Sequence, residues 1–151
     1  EVHACRAAGV EVSVVPGITS AFSVPALAGI PVTQRGVATS VHVSSGHVGA
    51  DAATIAALGA GATVVLLMAV SALPDICSAA IAAGVDADLP VAMVEHGSTS
   101  RERVTRATVE TAAAVAEREH VRPPAIVVLG RVAAEGFLDD PVCATTEATH
   151  D

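Results

Sequence analysis

The chain has 151 residues, the length of roughly one domain, with 16 acidic and 8 basic side chains, all of the latter arginine, and a formal charge of −8. An acidic chain without a basic stripe, with Phe22 and Phe137 as its only aromatic residues, is badly made for holding nucleic acid or an anionic membrane, and no run reaches the ~20 apolar residues of a membrane span. Cys5, Cys77 and Cys143 stand far apart without a Cys-x-x-Cys pair, and the six histidines lack His-Glu-x-x-His spacing, so neither a disulfide framework nor a metal centre is expected, and a reducing, cytoplasmic setting is.

The opening EVHACRAAGV reads as the end of a helix over residues 2–8 closed by Gly9, so a preceding segment is expected. Glu11–Val15 has the pattern of a short buried strand, stopped by Pro16-Gly17. Thr19 or Ser20 is placed to cap the next helix, expected to reach about Leu27 with a bend or early break at Pro25. Residues 30–35 connect to a β-branched strand over Thr39–Ser44, and Asp51 opens a helix running to about Leu58 and closed by Gly59. Thr63–Met68 (TVVLLM) is a continuous apolar run, the mark of a strand buried on both faces. Ser71 is placed to cap a helix in which Leu73, Ile76, Cys77, Ala80 and Ile81 share one face, stopped by Gly84.

Pro90–Glu95 is the next strand, followed by a polar loop over residues 96–99 and an edge strand over Arg103–Thr108. Thr111–His120 is a helix ended by Pro123-Pro124, and Ala125–Leu129 is a last buried strand. Residues from about Asp140 onward are small and polar, the composition of a frayed tail. Strands and helices alternate throughout, which defines the α/β class.

Several residues carry a chemical reading beside a structural one. The turn from Pro16 to Ala21 puts Thr19 and Ser20 where a strand gives way to a helix; an ordinary N-cap accounts for them, and so does presentation of hydroxyls and free N–H groups to a small ligand. Gly59-Ala60-Gly61 precedes a strand, whereas a dinucleotide-binding glycine loop follows one, so it reads as a helix stop. His42 reads as a structural or partly exposed histidine. Arg101, Arg103 and Arg106 read as a solvated strand face that could also meet carboxylates, and Glu95 as a residue that orients a loop.

Four blocks taken together resemble the tetrapyrrole methylase family, in the wording of its uroporphyrinogen-III C-methyltransferase members. They are PGITSA through PALAGIPVTQRG to SVHVSSGH (residues 16–47), ATVVLLMAVSALPDI (62–76), DLPVAMVEHGSTSRERVTRATVET (88–111) and PPAIVVLGRVA (123–133). Gln34 stands where the family usually has His, Ser45 where it has Thr, Glu102 where it has Gln, and Arg106-Ala107 where it tends to have Gly before Thr-Leu.

The resemblance implies an α/β tetrapyrrole methylase-like fold. Residues 1–32 would be the end of a first domain and an inter-domain helix; residues 33–139 would be the second domain, with a mixed sheet flanked by helices; and residues 140–151 would be a flexible tail. It further implies S-adenosylmethionine as methyl donor, bound in part by Thr19, Ser20, Met68 and Gly97, with Met68 against the adenosine and Gly97 allowing close backbone approach. Uroporphyrinogen III and precorrin-1 would be the substrates, a homodimer the assembly, and siroheme or cobalamin synthesis the pathway. No metal is implied, and no residue of this chain is assigned a catalytic role, because the family's glycine-proline loop and proposed acid/base groups belong to the first domain. The chain alone is therefore expected to be inactive. Another corrin-pathway methyltransferase, or a noncatalytic dimerisation remnant, are the alternatives.

Overall fold

The computed structural model describes residues 1–136; the tail expected from residue 140 lies outside the described residues, as do Phe137 and Cys143. Helix α1 (Val2–Ala7) is closed by Gly9 at φ +74°, with Val10 N–H bonded to the Cys5 carbonyl at 2.9 Å and Gly9 N–H to that of Arg6 at 3.0 Å. This paired stop needs a left-handed residue, which glycine supplies without strain.

Residues 11–19 then run without secondary structure, so the strand expected over Glu11–Val15 is not formed. Val15 and Ile18 are 85% and 91% exposed. An apolar run signals burial, but a strand exists only through a ladder with a neighbour, and no strand of the described sheet pairs with this segment.

Helix α2 (Ser20–Leu27) starts from Thr19 and passes through Pro25 to its last residue. No early break occurs: Pro25 lacks only its own N–H, and the turn beyond it is held by Ala28 N–H to the Val24 carbonyl at 3.1 Å and Ile30 N–H to the Pro25 carbonyl at 2.8 Å.

The sheet has five strands: β1 (Val41–Ser45), β2 (Thr63–Leu67), β3 (Pro90–Glu95), β4 (Arg103–Thr108) and β5 (Ala125–Leu129), in the order β1-β2-β5-β3-β4. β1 and β2 are parallel; β5 is inserted antiparallel between β2 and β3, and β4 pairs antiparallel with β3 at the edge. The sheet is mixed, as the resemblance implies.

Its alternation divides the core cleanly. Val64, Leu66, Val91, Met93, Val127 and Leu129 pack beneath α3 (Ala52–Gly59), α4 (Leu73–Ala82) and α5 (Ala112–Arg118). Val65, Ala92, Val94, Ile126 and Val128 pack on the other side, against α2, Ile30, Ala38 and a 3₁₀ turn over Arg131–Ala133. Burial on both faces explains why β2 and β5 read as uninterrupted apolar runs.

Three local expectations change. Gly59 is helical, and Gly61 at φ +76° closes α3, with Ala62 N–H reaching the Ala57 carbonyl at 3.0 Å. Ser71 does not cap α4; it sits in a 3₁₀ turn over Val70–Ala72 that leads into the helix, and Pro74 provides the entry. Ile81 is 41% exposed, since it lies at the margin of the stripe, about 80° round the helix from Leu73 at 3.6 residues per turn. Elsewhere Gly46 is fixed by close packing: a Cβ there would fall 2.3 Å from the Ala69 Cα. Among the described residues no helix is long and apolar enough to cross a membrane.

Candidate functional site

The strand ends converge on one edge of the sheet. β1, β2 and β3 finish there, and β5 and β4 begin there, since Leu67 lies opposite Ile126 and Glu95 opposite both Ala125 and Arg103. The carboxyl edge of parallel strands is where open α/β sheets collect ligands.

Two cavities open at this edge. The first, about 660 Å³, lies on the α2 side; its walls are largely apolar (Val24, Val94, Ile126), with polar groups from Ser20, His96, Thr99 and Arg101. The second, about 910 Å³, lies on the α4–α5 side, between His47, Ser71, Pro74, Ala113, Glu117 and Arg122. Met68, Val70 and Pro123 line both.

Ser20, Met68 and Gly97, three of the four expected site residues, line the first cavity. Thr19 is not among its lining residues. Its hydroxyl accepts Ala21 N–H at 3.3 Å and its carbonyl takes the N–H of Ser23 at 3.1 Å. It therefore builds the helix start that carries Ser20.

Met68 is half exposed, at φ +55° directly after β2. His96 (φ +49°) and Ser98 (φ +66°) adopt the same left-handed conformation directly after β3. Each such non-glycine residue costs roughly 1–2 kcal/mol, so this edge of the sheet holds strain that the surrounding packing must impose. Gly97, between two of them, is needed for a reason the sequence does not disclose. A Cβ there would lie 2.5 Å from both methyl carbons of Val24, so the bare backbone lets α2 pack directly on the loop.

That loop is heavily braced. His96 N–H bonds to the Pro124 carbonyl at 3.0 Å, across from the cis Pro123–Pro124 bond; Thr99 Oγ1 donates to the His96 carbonyl at 2.7 Å and accepts Arg101 N–H at 3.1 Å. Glu102 accepts Ser98 N–H at 2.8 Å, a bond that a Gln side-chain oxygen can also accept, though without the charge that strengthens it here.

Glu95 is buried at the end of β3. One carboxylate oxygen accepts Arg103 Nε at 2.6 Å and the other accepts Arg122 N–H at 2.8 Å, which ties β4 and the segment before β5 to β3. Arg106 donates to the carbonyls of Ala133 and Ala134. Of the three arginines expected on a solvated face, two are thus structural. Only Arg101 has no partner for its guanidinium among the described residues, and it lines the cavity.

Away from the cavities, His42 shares a hydrogen bond with Thr54 Oγ1 at 3.2 Å, and Thr54 donates to Asp51, the N-cap of α3, at 2.6 Å. The Thr54 hydroxyl and N–H hold the Asp51 carboxyl below the usual carboxylate range, with a smaller contribution from His42. His42 is therefore part of a capping network, in keeping with its structural reading. Cys77 is buried, and burial pushes its thiol up to about 11.

Residues 123–126 enter the first cavity only because β5 is inserted beside β2. The sequence marks β5 as a strand but carries no signal of its place in the sheet.

The chain is a mixed α/β domain with two cavities at the carboxyl edge of its parallel strands, the place where open α/β sheets collect small ligands. Residues 1–113 match the family described as Tetrapyrrole (Corrin/Porphyrin) Methylases, and the chain belongs to that family. It is 36% identical over 135 residues to a siroheme synthase of Methylobacillus flagellatus, covering 87% of this chain and 29% of that protein. It is 42% identical over 130 residues to an S-adenosyl-L-methionine-dependent uroporphyrinogen III methyltransferase of Methanosarcina barkeri, covering 82% of this chain and 50% of that protein. The chain thus spans half or less of these relatives.

Among solved structures it is similar to uroporphyrin-III C-methyl transferase from Thermus thermophilus. The native form superimposes with a TM-score of 0.72 at 33% identity, over 99% of this chain and 61% of that one. The form complexed with S-adenyl homocysteine gives 0.69 at 35% identity, over 87% of this chain and 57% of that one.

Proposed function

We propose that this chain forms one wall of the cofactor cleft in an S-adenosylmethionine-dependent methyltransferase that C-methylates uroporphyrinogen III, through precorrin-1 to precorrin-2, for siroheme or cobalamin synthesis. The observation that carries this reading is Met68, held in a strained conformation on the rim common to two cavities. Group transfer needs two molecules in contact, and two cavities that share a wall suit a donor and an acceptor.

The residues fit a nucleoside thioether. The first cavity lies within the ~300–1,000 Å³ range of small-ligand sites and has the usual makeup of apolar walls with a few polar groups. Ser20, Met68, Thr99 and the backbone around Gly97 would hold it, with Val24, Val94 and Ile126 excluding water. The cofactor, when bound, supplies a methyl group on a sulfonium. The chain's own work is alignment: the soft Met68 thioether packs against a flat ring, and the Glu95 brace keeps the loop after β3 in place. The second cavity, larger and bordered by His47 and Arg122, suits an extended acceptor with an acidic rim. Similarity to the S-adenyl homocysteine complex and to the Methanosarcina barkeri enzyme supports the same reading.

The test is calorimetric titration of S-adenosylhomocysteine into the chain. Binding in the upper micromolar to millimolar range, ~4–6 kcal/mol, with no methylation of uroporphyrinogen III, is expected, and Met68→Ala should weaken it severalfold. Absence of binding at millimolar ligand, or an affinity indifferent to Met68→Ala, refutes the cleft. Tight binding or turnover by the chain alone refutes its being one wall only.

A further inference from the structure

We propose that Arg101 is the anion-receiving residue of the first cavity and takes a carboxylate, either of the cofactor that fills that cavity or of the acceptor that borders it across the shared Met68 wall; the inference rests on the methyltransferase reading above. Three arginines lie on or beside β4 where they could meet an acid. Arg103 is bound to the buried Glu95 and Arg106 to two backbone carbonyls. Arg101 lines the cavity with no partner for its guanidinium among the described residues, although Glu102 is its neighbour in sequence. The Glu102 carboxylate is instead turned to Ser98 N–H at 2.8 Å.

The backbone that presents Arg101 is fixed. Its own N–H bonds to Thr99 Oγ1 at 3.1 Å, Thr99 Oγ1 to the His96 carbonyl at 2.7 Å, and Glu102 N–H to the Thr99 carbonyl at 3.1 Å. A loop so tied, in a chain of net charge −8, keeps one guanidinium in the wall of a largely apolar cavity. A guanidinium there offers a planar fork matched to a carboxylate, and the acidic surroundings would otherwise repel such a ligand. Two sources carry the required group: the amino-acid end of the cofactor, or the acidic rim of the acceptor.

Nuclear magnetic resonance of the full chain separates them. The Met68 methyl signal reports on the cavity, with the buried Met93 as internal control, and the Arg101 Nε–H signal, assigned by its loss in Arg101→Lys, reports on the anion. S-adenosylhomocysteine is compared with 5′-methylthioadenosine, which lacks the amino acid, and uroporphyrin with its octamethyl ester. The expected result is a Met68 shift with both nucleosides and an Arg101 shift with S-adenosylhomocysteine alone, or with uroporphyrin but not its ester, which assigns the carboxylate to one source or the other. Arg101→Ala should weaken the carboxylate-bearing partner about tenfold, the size expected of a partly solvated charge-assisted hydrogen bond, and leave its neutral counterpart unchanged. A Met68 shift with a silent Arg101, or unaltered affinity in Arg101→Ala, overturns this inference and leaves the methyltransferase reading standing. A silent Met68 with both nucleosides overturns the reading and the inference with it.

Discussion

Replacing Gly97 by alanine tests whether this glycine serves packing or the ligand. The added Cβ would lie 2.5 Å from both Val24 methyl carbons and 3.0 Å from its Cβ, whereas carbon atoms in contact prefer about 3.5–4.0 Å. Rotating Val24 brings no relief, since both methyl positions and the branch carbon are too close. Helix α2 or the loop after β3 must move by about 1 Å, and such overpacking costs about 1–3 kcal/mol. For a chain of this size, 2 kcal/mol corresponds to a fall in Tm of roughly 4–8 °C.

Val24→Ala removes the two obstructing methyls, so the double variant should recover most of the loss caused by Gly97→Ala, and thermal and urea unfolding of the four chains would give a coupling of about 1–2 kcal/mol. Since α2 also carries Ser20, Gly97→Ala should weaken S-adenosylhomocysteine, and the double variant should restore it. Additive destabilisation refutes the packing argument. Lost ligand binding with unchanged stability would mean that Gly97 matters for approach to the ligand instead.

Glu95→Ala removes the acceptor of Arg103 Nε and Arg122 N–H; both donors lie near solvent, so the loss should be about 2 kcal/mol, and Glu95→Gln, which keeps one acceptor oxygen for Arg122, should lose about half as much in urea unfolding. Equal losses would show that charge, not the tie to residue 122, holds the loop. Asp51→Ala should cost about 1 kcal/mol at pH 7 as a lost N-cap. Because Asp51 is more acidic folded than unfolded, its contribution is complete above the ordinary carboxylate pKa and fades as pH falls through the lower, folded value. Urea midpoints of the two chains should therefore converge toward pH 2, and a constant gap would contradict the assigned cause. Cys77, with its thiol raised to about 11 by burial, should resist iodoacetamide at pH 8 while exposed Cys5 reacts; peptide mapping that finds both labelled at one rate would show that the core opens.

The sequence by itself determined the family and the helices and strands that form, with one strand too many. Continuous apolar runs marked β2 and β5, glycines and prolines marked the stops, and ordered blocks carried the resemblance, because periodicity and turn chemistry are local properties of the chain. Ser20, Met68 and Gly97, which line the first cavity, were picked out as expected ligand contacts through those blocks, not through any chemistry of their own. What tertiary structure alone decided are the matters that depend on neighbours. Glu11–Val15 has strand composition yet no strand, because no described strand pairs with it. Thr19 is used as a cap, Gly97 is set by Val24, and Arg101 is singled out only once Glu95 and two backbone carbonyls have engaged Arg103 and Arg106. The insertion of β5 between β2 and β3 brings residues 123–126 to Met68; strand order is a choice among distant partners, and no single segment encodes it.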